Sequence, residues 1–149
     1  MALEYRLTLA GECSAEGMAE RAFPVMSERP TGVAPRLSAD HQAEYGFDVT
    51  ISAGHGGYLD LETDQGSWEW EPDSYVRITF RLGKFADARW AVTNMLTVVR
   101  RVLDTGREDA TFDFNGDILL LARRAGELTK HRRDTWWERY ASGNQLIPG

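Results

Sequence analysis

Residues 58–82, YLDLETDQGSWEWEPDSYVRITFRL, decide the fold class. Leu59, Leu61 and Thr63 alternate with Asp60 and Glu62, Trp68 and Trp70 with Glu69 and Glu71, and Val76, Ile78, Phe80 and Leu82 with Arg77, Thr79 and Arg81. A period of two is that of strands buried on one side. A hairpin turned at Gln65-Gly66, or over Asp64 to Ser67, sets Glu62 opposite Glu69, Asp60 opposite Glu71, Leu61 opposite Trp70 and Thr63 opposite Trp68. A connection over Pro72 to Ser74 keeps the next strand's apolar face in step and places Glu69 against Arg77, because a one-residue slip turns every side chain over. The outward face is then almost wholly carboxylate. Like charges across a strand pair each cost something under about 1 kcal/mol, so either basic side chains elsewhere in the chain neutralise this face or a basic partner does.

Outward from this segment, Leu3 to Ala10 alternates as a strand, and Ser14 is placed to cap a helix running to Ala22. Residues 23–37 hold three prolines and read as a surface loop; Ser38 caps a short helical turn that stops at Gly46, and Phe47, Val49 and Ile51 begin another strand, giving a meander into the hairpin. Asp87 caps a long amphipathic helix to Leu103, with Val92, Met95, Leu96, Val99, Val102 and Leu103 on one side and Trp90 roughly opposite. Asn115-Gly116 turns a further hairpin in TFDFNGDILLLARR. ELTKHRR follows as a strand or loop, and Asp134 caps a helix in TWWERYA. The expected fold is α+β: a mainly antiparallel, twisted sheet of about six to seven strands, the long helix packed across it, and two short helices, in a single domain over residues 1–149.

The chain carries 17 Lys and Arg against 23 Asp and Glu, a net charge of −6. Residues 1–75 hold four Arg and fourteen acids, whereas residues 76–149 hold thirteen Lys or Arg and nine acids. That imbalance disfavours direct nucleic-acid binding and favours a basic protein partner. No apolar run is of membrane-spanning length. The N-terminus reads as a strand and not a signal peptide, and the single cysteine, Cys13, permits no intrachain disulfide; both fit the cytoplasm.

No catalytic, cofactor or metal site is expected. His41, His55 and His131 are scattered and read as surface residues, and neither phosphate-cradling glycine motifs nor a nucleophile elbow occurs. Asp60 with Glu71, or Glu62 with Glu69, form acid pairs of the kind glycosidases use, but an exposed, water-screened face does not separate two carboxyl pKa values. The basic group Arg123, Arg124, Lys130, His131, Arg132 and Arg133 either forms a solvated face or folds back on the acidic hairpin. Trp136 and Trp137, adjacent in a short helix beside Tyr140, cannot both face one core; one is left for a neighbouring element or a homodimer interface.

MALEYRLTLAG at the start, WEWEPDSYV, RWAVTNMLTVVRRVLDTG, FNGDILLL and ELTKHRRDTWW resemble blocks of the swarming-inhibition (Sit) immunity family, a likeness weakest over Phe23 to Leu37. The resemblance implies a non-enzymatic cytoplasmic immunity protein of a bacterial polymorphic toxin system, which binds and blocks a cognate toxin. Together with the charge pattern it makes Asp60, Glu62, Glu69 and Glu71, supported by Asp64 and Asp73, the expected contacts for a basic toxin domain of, for example, nuclease type, with Trp90 as an aromatic anchor. Two readings compete: a small-molecule-binding or hydrolytic domain with a pocket between the long helix and the sheet, and a module dimerising through Trp136, Trp137 and Tyr140.

Overall fold

In the computed structural model, which describes residues 3–149, the alternating segments become strands of one ten-stranded sheet. Strand β1 (Leu3–Ala10) lies between β7 (Ser74–Leu82) and β8 (Ala110–Phe114). Beyond β7 come β4 (Phe47–His55), β3 (Arg36–His41) and β2 (Thr31–Val33); beyond β8 comes β9 (Ile118–Arg124), which carries β10 (Glu127–Lys130) on its far side. These pairings are antiparallel. Strands β5 (Leu59–Thr63) and β6 (Gly66–Trp70) form an antiparallel arm that leaves the end of β4 and β7, where the Gly56 N–H donates to the Asp73 carbonyl at 2.7 Å and the Gly57 N–H to that of Pro72 at 2.9 Å. The arm joins the sheet at β9 through a parallel bridge of Glu62 with Ile118. A Cβ on Gly57 would lie 2.9 Å from the Tyr75 ring, so the bend between ladder and arm requires glycine.

Helix α3 (Ala88–Asp104) packs its apolar stripe on one face of this sheet. Asp87 caps it, accepting the Trp90 N–H at 3.1 Å. Ala91, Val92, Met95, Leu96, Val99 and Val102 are buried against Leu7, Leu9, Val49, Ile51, Ile78 and Phe80, each such aliphatic side chain contributing roughly 1.5–3 kcal/mol by leaving water. Helix α1 (Ala15–Ala22), capped by the Ser14 hydroxyl, α2 (Gln42–Tyr45), ended by Gly46 in the left-handed region, and α4 (Ala141–Leu146) add to the same side. The arm folds onto the other face. Leu59 and Leu61 bury themselves against Leu119 and Ala122, with Trp68 and Trp70 over them. Leu121 and Ala122, consecutive in β9, belong to one cluster each, which places the two clusters on opposite faces.

Several expectations need correction. Among the described residues the sheet has ten strands and not six or seven, and the run from β4 through the arm to β7 is not a meander: β7 pairs with β1 and β4, so Glu69 does not meet Arg77. Residues 23–37 hold a 3₁₀ turn at Met26–Glu28 and strand β2, and Ser38 lies inside β3. Among the described residues three short α-helices stand beside the long one, α1, α2 and α4, and not two. Asp134 is no cap: residues Arg133–Trp137 form a wide π-type turn. Its geometry lets Trp136 and Trp137 both point inward, where they bond the Tyr5 hydroxyl and the Leu120 carbonyl. With Tyr140 half-buried against Trp136, these aromatics offer no exposed tryptophan for a dimer. His41 and His131 are buried and not at the surface.

An ion-pair group ties α1 to the end of α3 and to β9. Arg21 grips Glu108 with both terminal nitrogens, at 2.5 and 3.1 Å, and Arg123 donates to the Glu108 and Leu103 carbonyls at 2.8 Å. The Arg21 hydrogen bonds hold the Glu108 carboxyl below its ordinary value against the opposing effect of burial. Since the folded value is the lower one, this stabilisation is complete above the ordinary Glu value of 4.5 and disappears as pH falls through the folded value. Thermal unfolding at a series of pH values tests this. Glu108→Gln is expected to lower the melting temperature at pH 7 and to flatten its decline below pH ~4.5.

Candidate functional site

The arm's outward face is built by the register of β5 on β6. Asp60 sits directly opposite Glu69, Leu59 opposite Trp70, Leu61 opposite Trp68, and Glu62 opposite Ser67. The turn is therefore Asp64-Gln65, one residue earlier than expected, which shifts every partner on β6 by two, with Gly66 already in the strand and facing Thr63. The Thr63 hydroxyl fixes it, accepting from the Gln65 N–H at 3.0 Å and donating to the Gly66 carbonyl at 2.8 Å. The consequence is one like-charge pair on the arm instead of two. Glu71 lies just past the end of β6, exposed, and Asp73 stands at the bend.

Part of the acidic face is neutralised from within. The Arg132 guanidinium reaches the Glu62 carboxylate at 3.4 Å, and the Arg132 N–H donates to Asp64 at 3.1 Å. Burial lowers the His131 pKa, more than the nearby Asp64 charge raises it. The imidazole is accordingly neutral at pH 7, and its Nδ1 accepts the Asp64 N–H at 3.2 Å. The rest of the basic group pairs with no carboxylate of the arm: Arg124 lies over the Trp68 ring and pairs with Asp109, Lys130 is buried over Trp137 with its ammonium on Asn144, and Arg133 donates to the Gly149 carbonyl. Among the described residues, Asp60, Glu69, Glu71 and Asp73 form no ion pair.

Tyr58, not singled out in the sequence, joins these acids. It is exposed, and its phenol is raised above the ordinary value by lost hydration and then by the charges of Glu69, Asp60 and Glu71. The signal was present, for Tyr58 shares the parity of Asp60 and Glu62 in the alternation. Trp90 is 42 % exposed, as its position opposite the helix stripe requires, but it sits on the helix side of the sheet while the acids sit on the arm side. The structure therefore does not bring Trp90 together with the carboxylates.

The interface between α3 and the sheet is filled by side chains without solvent exposure, so the pocket expected there is not found among the described residues. A depression of about 390 Å³ lies instead on the opposite face, at the turn end of the arm, walled by Trp68, Arg124 and His131 over Leu119 and Ala122. No group of histidine, cysteine and carboxylate side chains suited to a metal occurs among the described residues, and no helix is long and apolar enough to cross a membrane.

Comparison with known proteins agrees with the resemblance carried by the sequence blocks. No curated protein matches the chain. No solved structure matches it. The SitI3-like family model matches residues 3–141, which takes in the whole sheet, α3 and both tryptophans of the wide turn. This chain thus belongs to the SitI3-like family and is an immunity-type protein.

Proposed function

We propose that the protein neutralises a cognate toxin by binding a basic surface of it with the arm, through Asp60, Glu69 and Glu71 and the Tyr58 ring, without catalysis. Glu62, Asp64 and Asp73 extend the same negative field. The observation that supports this reading is the pair Asp60–Glu69, directly opposed on an exposed ladder with no ion pair to either acid among the described residues. Their Cβ atoms are about 4.5–5.5 Å apart in such a position, and the repulsion weakens the arm. Stability alone gives no reason to keep it. A partner's lysines and arginines, in contrast, reverse its sign on binding and speed the encounter. The Trp68-walled depression at the arm's turn end has room for an apolar side chain from the same partner.

Glu69→Lys separates this reading from a mere defect of folding, because the two predictions differ in sign. An amine opposite Asp60 relieves the repulsion and is expected to raise stability by a few tenths of a kcal/mol, up to about 1. The same change is expected to weaken affinity for the toxin domain at least tenfold, that is by about 1.4 kcal/mol or more, and to abolish protection of a cell expressing the toxin. Calorimetric titration with the purified toxin domain, beside thermal unfolding of the variant, measures both. Unchanged affinity in a folded variant would refute the assignment.

A further inference from the structure

The face of the sheet turned away from α3 carries, besides the arm, an open polar groove of about 430 Å³. Its floor is formed by the residues that alternate with the core in β1, β3, β4 and β7. They stand in rows set by the register. One row runs Asp48, Arg81 and Glu4, so Arg81 is flanked by a carboxylate on each side. In the next, Arg6 holds the buried Asp113 through Nε at 3.2 Å and a terminal nitrogen at 3.3 Å. A third runs Arg36, Ser52, Arg77 and Thr8, and it contains no acid at all.

Arg36 and Arg77 form no ion pair among the described residues. Arg77 is partly buried, its Nε donates to the Thr8 hydroxyl at 3.0 Å, and its guanidinium lies 5.1 Å from the centre of the Tyr75 ring. Both contacts fix the orientation of the fork and leave its two terminal nitrogens without a protein acceptor. A cation half out of water is costly; Arg6, on the neighbouring strand, adds repulsion, and the attraction of Asp113, which Arg6 already holds, offsets only part of this. The acid-free row thus presents two arginines, two strands apart or about 10 Å by strand spacing, on either side of a serine hydroxyl.

We propose that this row binds a phosphate group, free or carried on a small ester, between the Arg36 and Arg77 guanidiniums and over Ser52. Two forks and a hydroxyl offer more donors than the two oxygens of a carboxylate use, whereas a phosphate has three terminal oxygens to receive them. A long polyanion is not the occupant, since Glu4 and Asp48 interrupt the groove and the chain is negative overall. The size of the groove suits a mononucleotide-sized ester.

The full chain is titrated by calorimetry with inorganic phosphate and with adenosine monophosphate, against chloride at matched ionic strength, and with a glutamate-rich peptide as the carboxylate arm. Saturable one-to-one binding of phosphate is expected, weakened at least tenfold in Arg77→Gln and in Arg36→Gln. Tighter binding of the monophosphate assigns the site to an ester, and equal binding to the phosphate group alone. Phosphate is also expected to raise the melting temperature of the unaltered protein and not that of either variant. Arg36 lies exposed on β3, so its variant tests the site even where Arg77→Gln disturbs the fold. No saturable response beyond chloride, equal binding in folded variants, or stronger binding of the acidic peptide would overturn the proposal.

Discussion

Trp137→Ala is expected to lower the unfolding free energy by about 3–5 kcal/mol, the range for truncating a large buried aromatic. Three losses combine at this position. The ring is 1 % exposed, so its removal leaves a cavity as well as lost apolar contact. Its indole N–H donates to the Leu120 carbonyl at 2.9 Å, and that carbonyl belongs to the extra residue of the β8–β9 bulge. Its face carries the buried Lys130 ammonium at 4.5 Å, and burial already depresses that amine below its ordinary value. Trp137→Phe keeps a ring for Lys130 and loses only the hydrogen bond and some volume, so a cost of about 1–2 kcal/mol is expected. Denaturant unfolding checks both, through a lower midpoint at an unchanged slope.

Asp113→Ala is the second large effect, at about 3 kcal/mol. The carboxylate is wholly buried and accepts from Arg6 twice and from the Gly116 N–H at 2.8 Å. Burial raises its pKa more than Arg6 lowers it, which marks the pair as one whose desolvation roughly cancels its attraction. Removing the acid alone leaves Arg6 uncompensated beside Arg77 and leaves the Asn115-Gly116 turn without its acceptor. Removing both charges, by Arg6→Leu with Asp113→Leu, is expected to recover most of the loss. The two single changes and the double one, measured by the same denaturant unfolding, form a cycle that isolates the pair. The pH dependence has the opposite sign to that of Glu108. With its folded value raised, Asp113 costs stability as pH rises from the unfolded to the folded pKa.

Local periodicity carried much of the fold into view. Leu3 to Ala10, Phe47 to Ile51, Tyr75 to Leu82 and Asp87 to Leu103 each obey one period long enough to fix the element and its buried side, and Asn115-Gly116 takes the two left-handed conformations its turn requires. Long-range pairing was not legible. Nothing near β7 announces that β1, seventy residues earlier, will lie beside it in place of β6. The arm's register turned on a detail of a single residue. Gly66 marks a turn in the sequence, yet the Thr63 hydroxyl secures one that ends a residue before it, and this moved Glu69 from Glu62 to Asp60.

The candidate site divided along similar lines. Period two correctly put Asp60, Glu62 and Glu69 on the outward side of the arm, because that parity does not depend on register. Which of them have internal counter-ions depended on the basic group, and charge alone says nothing of depth. Arg123 and Lys130 bury their stems and place their heads on carbonyls at the ends of α3 and α4. Arg124 turns to the arm but lies on the Trp68 ring, and Arg132, beside the neutral His131, answers Glu62 and Asp64, so Asp60, Glu69 and Glu71 are left unanswered among the described residues.

Hydrogen exchange of the backbone amides, with and without a saturating amount of the cognate toxin domain, tests the proposed docking of a toxin on the arm most directly. Binding to the arm is expected to slow exchange across residues 58–71, most at the β6 amides that no neighbouring strand covers, and to leave α3 around Trp90 unchanged. Slowed exchange at Trp90, at the β2 edge or along the arginine groove, with the arm exchanging as in the free protein, would contradict it.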